Sequence, residues 1–131
     1  MTIREYARLE AGKLLDNLDK EAGRAARNAN AEAVHDLRVS IRRFSECLRV
    51  FEEFFPARRI RKRLKRIMND AASVRDRDVV LKFLADAHVE APKAARAVER
   101  DRRSAEDALR ARLTAWKKRS IADKWRSELE L

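Results

Sequence analysis

An all-α fold, an antiparallel up-down four-helix bundle of long helices with a short C-terminal helix, is the class this sequence predicts. Three observations point to it. The 131 residues include only two Gly and two Pro, too few breakers for a turn-rich β-sandwich or barrel. Apolar residues, 45% of the chain, recur in steps of three and four, the helical period. The length suits one domain with one core.

The first helix is predicted over about Ile3 to Arg27, with Ile3, Ala7, Leu14, Leu18, Ala22 and Ala25 on one face. Gly23 interrupts it at a cost of about 1 kcal/mol relative to Ala. Asn28-Ala29-Asn30 reads as a turn, with Asn30 able to cap the next helix. The second helix spans about Ala31 to Phe54, carries the stripe Val34, Leu37, Ile41, Phe44, Leu48, Phe51 and Phe55, and is stopped by Pro56. The third runs from about Ala57 to His88 on Ile60, Leu64, Ile67, Ala71, Val74 and Leu81, with Asp78 interrupting the row. The fourth opens at Pro92, where a first turn tolerates proline, and reaches Lys118 through Ala94, Val98, Ala105, Leu109, Leu113 and Trp116. Ile121, Trp125 and Leu129 suggest a short fifth helix capped by Ser120. Residues 1–118 thus read as the bundle and 119–131 as an appendage. Its apolar row reads as exposed and in need of a second chain.

Charge narrows the function. Lys and Arg number 32 against 22 Asp and Glu, a formal charge of +10, which implies a polyanionic partner. A single cysteine, Cys47, excludes an internal disulfide framework and a cysteine-only zinc site; near the core stripe it reads as a small buried hydrophobe. No apolar run approaches membrane-spanning length and no signal peptide is evident. A reduced, cytoplasmic setting with no membrane role is expected. No Gly-rich phosphate loop, nucleophile elbow or metal-ligand pair is present, so neither an enzyme nor a cofactor is expected.

Two basic rows stand out. On the second helix His35, Arg38, Arg42 and Arg49 fall within an arc of about 60°, roughly 120° from the centre of the apolar stripe. One cation per turn, about 5.4 Å apart, suits a linear polyanion better than one small anion. Arginine and lysine on a helix face are ordinarily just solvated surface. Against that, carboxylates are absent from the arc, except that Glu46 approaches its edge. The third helix opens with Arg58, Arg59, Arg61, Lys62, Arg63, Lys65 and Arg66, and no acid falls between Glu53 and Asp70. Arg58, Lys62 and Lys65 share a face. On antiparallel neighbours the two rows can wall a positive groove. Asp78 at a core position calls for an internal Arg–Asp network, bordered by Arg75.

The stretch Val34-His35-Asp36-Leu37-Arg38-Val39-Ser40-Ile41-Arg42-Arg43-Phe44 resembles the signature of the CHAD domain, the conserved histidine α-helical domain. Downstream, Arg75-Asp76-Arg77-Asp78-Val79 resembles that family's second motif. The resemblance spans about residues 3 to 118 and implies an all-helical domain that binds inorganic polyphosphate on a basic surface. It implicates His35, Arg38, Arg42 and Arg43, then the third-helix bases Lys62, Lys65 and Arg66. Arg75 can serve either the anion or the internal acid network. A full family domain holds two such bundles related by pseudo-twofold symmetry. The chain resembles the N-terminal half, which implies a truncated or split member, or a homodimer that rebuilds the double bundle. The alternatives are a general nucleic-acid binder, for which nucleic acid would compete with polyphosphate, and a scaffolding bundle whose charge only keeps it soluble. A phosphohydrolase is disfavoured, since no acidic cluster for Mg²⁺ is evident.

Overall fold

The computed structural model describes residues 1–88 and 90–131. It has five helices among them and no strand: α1 (Ile3–Arg27), α2 (Ala31–Val50), α3 (Arg58–Asp86), α4 (Pro92–Lys118) and α5 (Ile121–Glu128). Each of α1 to α4 packs on its sequence neighbours, and α1 closes the ring against α4. This is the all-α bundle that the periodicity predicts. The core holds Ala7, Leu15 and Leu18 of α1, Leu37, Ile41 and Phe44 of α2, Leu64 and Val74 of α3, and Leu109 and Leu113 of α4. Small residues of α1, including Ala11, Ala22 and Ala25, are fully buried, so its backbone lies close to its neighbours.

The ends follow local chemistry. Thr2 and Glu5 form a capping box on α1. The Asn30 side chain accepts from the Ala33 N–H at 2.8 Å, as its position predicted. α2 ends at Val50, four residues short of expectation. The chain there tightens into i→i+3 turns through Phe54, because the residue before Pro56 is driven from the helical region. α3 stops two residues early, where His88 adopts φ 53. Ser120, expected as a side-chain cap, makes no capping hydrogen bond; it is a left-handed joint with φ 51 that turns α4 into α5.

Two departures concern packing. The C-terminal apolar row needs no second chain: Ile121, Trp125 and Leu129 are all buried in this one. The Trp125 ring sits edge-on to Trp116 with centroids 4.9 Å apart and stacks on Phe44 at 6.2 Å. Arg126 pins α5 to α1 through Asp16. Conversely, four expected core positions lie outside the core, Ile3 and Ala94 exposed and Leu81 and Val98 half-buried, while Leu14, Phe51 and Ala105 are only partly buried against it. α3 has 29 residues against 20 in α2, so the α3–α4 hairpin overhangs the α1–α2 turn. On that overhang Val79, Val80 and Phe83 are exposed.

Arg102 closes the base of the overhang. Its Nε donates to Asp78 Oδ1 at 2.6 Å, its Nη1 to Glu106 at 3.0 Å and its Nη2 to the Ala29 carbonyl at 2.8 Å. The internal acid therefore has its arginine, supplied by α4 and not by the neighbouring Arg75. The hydrogen bond to Asp78 raises the Arg102 guanidinium above its ordinary pKa, against the lesser effect of burial.

Candidate functional site

The helix signature divides its residues among three tasks. Val34, Leu37, Ile41 and Phe44 are buried in the core. Asp36 ties α2 to α1, accepting from Arg24 Nη1 at 2.6 Å; that hydrogen bond is the main reason the Arg24 pKa is raised. Of the cations, Arg42 falls on the side of α2 that meets α3, with His35 and Arg38 on the same side of the helix by its period. Between these two helices runs a groove of about 630 Å³, lined by Arg42, Arg58, Arg61, Lys62 and Lys65 over a floor of Ile41, Leu64 and Met68.

Glu46 is the one acid in that lining. It is already engaged, accepting from Arg49 Nη2 at 2.7 Å. This bond, then the Arg49 charge and the weaker field of Arg61, hold its carboxyl below the usual range. No acid lies within ion-pair distance of the five lining cations among the described residues. Arg38 lies one turn before Arg42 on the same side of α2. It is half-buried, and its Nε is buried without a hydrogen-bond partner. A buried guanidinium donor left unpaired is costly.

The groove gathers some of the expected residues and not others. Arg42, Arg58, Lys62 and Lys65 line it, and Arg38 continues its α2 wall. His35 is exposed one turn further along that wall. Arg49 belongs to the same arc, but its guanidinium is committed to Glu46. Arg43 follows Arg42 in sequence, which turns it about 100° around the helix; it is exposed and does not line the groove. Arg66 lines a different cleft, on the far side of α3. Arg75 is half-buried and lines neither. Arg61 was visible in the basic row but not singled out; its i, i+4 spacing with Lys65 was the signal that places both on the α2 side.

Among the described residues no group of three or more His, Cys, Asp or Glu side chains is placed to hold a metal ion. Among the described residues no helix is long and apolar enough to cross a membrane. Trp116 and Trp125 are buried, and the Trp116 indole donates to Asp19 at 2.8 Å. Chemically, the groove can neutralise and chelate an extended row of anionic oxygens.

The family model described as CHAD domain matches residues 10–130, nearly the whole chain and including α5. No curated protein and no solved structure matches it.

Proposed function

The chain belongs to the CHAD domain family, and from this premise we propose that it binds inorganic polyphosphate, without turning it over, in the groove between α2 and α3. The family's association with that polymer names the ligand. The observation that carries the reading is charge segregation. Arg42, Arg58, Arg61, Lys62 and Lys65 converge unpaired on one groove, and its one lining acid, Glu46, is already engaged by Arg49. Repeating phosphates suit cations repeated at each helical turn. Affinity then rises with chain length, as neighbouring phosphates engage together.

A binder of single-stranded nucleic acid ordinarily adds exposed rings on which bases stack. The groove lining contains none, which favours a polymer that is phosphate alone. Titration of long-chain polyphosphate against the wild type and Arg38→Ala/Arg42→Ala/Lys65→Ala tests the reading, with single-stranded oligonucleotide as competitor. The wild type should bind, weaken steeply as salt is raised, and bind at least about tenfold more tightly than the triple variant. Equal affinity for oligonucleotide and polyphosphate defeats the specific reading.

The same reading includes a second copy of the chain as partner. Val79, Val80 and Phe83 leave an apolar stripe on the overhanging hairpin, which a like stripe can cover about a twofold axis. Light scattering at micromolar concentration tests this, and a monomer mass refutes it.

A further inference from the structure

The basic row of α3 wraps farther round the helix than the α2/α3 groove can use. At 100° per residue, the positions from Arg61 through Lys65, Arg58, Lys62, Arg66 and Arg59 to Arg63 cover an arc of roughly 200°. The core face, centred on Ile60, Leu64 and Ile67, occupies most of the remainder. Half of this arc therefore looks away from α2. There it meets α5 and the end of α4 across a second cleft of about 820 Å³, larger than the first.

Six cations line that cleft: Arg59, Lys62, Arg63 and Arg66 from α3, and Arg119 and Lys124 from the α4–α5 corner. Glu128 is the one acid in the lining. None of the six has an ion-pair partner among the described residues. The far wall is firmly held. Ile121 and Trp125 are buried beneath it. On the opposite side of α5, Arg126 is bound to both Asp16 and Asp123. The short helix thus pairs the cation that fixes it to α1 and leaves unpaired the one that faces α3. Lys62 lines both clefts, so the two are separated only by the crest of α3.

We infer that the α3/α5 cleft is a second phosphate-binding site, and that one polyphosphate chain crosses the crest of α3 at Lys62 to occupy both clefts. This rests on the reading that the protein binds polyphosphate at all. It adds that Arg119 and Lys124, from a segment outside both sequence motifs, hold part of the polymer. Two linked sites on one ligand raise affinity for long chains beyond what either gives alone.

Calorimetric titration with long-chain polyphosphate decides it, using wild type, Arg119→Gln/Lys124→Gln, Arg42→Gln/Lys65→Gln, and Lys13→Gln/Lys20→Gln on α1 as an equal-charge control. Arg59→Gln/Arg63→Gln probes the same cleft from α3, should the α5 variant fold poorly. Both cleft variants should lose about tenfold in affinity, and the control no more than about threefold. Cleft variants that match the control while Arg42→Gln/Lys65→Gln binds more weakly overturn the second site alone. A wild type that takes up no polyphosphate overturns the reading beneath it as well.

Discussion

Arg58→Glu should make the protein more stable and a poorer binder. Arg58 is the first residue of α3, where the helix dipole is positive. The first turn of α3 carries no acid and its N-terminus no side-chain cap. Arg58 also stands three and four residues before Arg61 and Lys62, where like charges repel. An acid in its place replaces an unfavourable dipole contact, of about 0.3–1 kcal/mol, by a favourable one. It also turns two repulsions of about 0.2–0.5 kcal/mol each into attractions. Because these fields overlap and the end is solvated, the net gain at low salt is about 1–2 kcal/mol. With an unfolding entropy of about 2.1 cal/mol/K per residue, that raises Tm by roughly 4–7 °C for a chain this long. Thermal melts in low and high salt are the assay, paired with polyphosphate titration. The gain should shrink as salt screens the charges, while affinity drops in both. A fall in Tm, or unchanged binding, would refute the argument that α3 keeps a strained, cationic start for a ligand.

Three further outcomes are expected. Arg102→Ala removes the partner of Asp78, whose other oxygen is already buried without one; melts should show a loss of about 3 kcal/mol, or roughly 10 °C in Tm, and a loss below a third of that would mean water replaces the guanidinium freely. Gly23→Ala should stabilise by up to about 1 kcal/mol, because the one close contact of the added Cβ, at 2.8 Å, is the flexible end of Lys117, which can swing away from Asp19, and Arg27 at 3.7 Å is in ordinary contact; a net destabilisation in denaturant would show that the lysine end is held in place. Cys47 is buried and its thiol pKa is raised by that burial, so a thiol reagent should modify it far more slowly in the native protein than in denaturant. The raised value makes the thiol's contribution to stability fully present below its unfolded pKa, near 8.5, and lost as pH rises above it; equal labelling rates in the two states would contradict the burial.

The sequence displayed some of this directly. The α2 stripe from Val34 to Leu48 is buried as its three-four spacing implies, and Asn30 caps α2 by accepting from the Ala33 N–H. The groove was legible too, since antiparallel neighbours bring the two basic rows together wherever their arcs face. What periodicity does not encode is how far one helix extends past another. It gives the face of Ala94 and Val98 but not that α3 and α4 overhang α1 and α2 there. Nor could it name the partner of Asp78, because Arg102 comes from another helix and arrives through tertiary packing. The landing place of α5 was hidden for the same reason: Ile121, Trp125 and Leu129 mark an apolar face but not the surface that receives it.

Charge used only for solubility would be interspersed over the surface. At the start of α3 it is sorted by sign, with no acid between Glu53 and Asp70. Arg24 joins α1 to α2 through Asp36, Arg112 joins α4 to α3 through Asp70, and Arg126 joins α5 to α1 through Asp16. Each of these arginines ties one helix to another, and each has its acid. The cations that start α3 tie nothing together and have none. Their mutual repulsion weakens the helix end that carries them, and the unfolded chain, being more extended, feels that repulsion less. A ligand that neutralises them only when they are held side by side binds the folded state preferentially, and so stabilises it by mass action. Under the proposed function the unpaired row is therefore coupled to folding through its ligand, whereas the paired arginines are coupled to folding through the bundle itself.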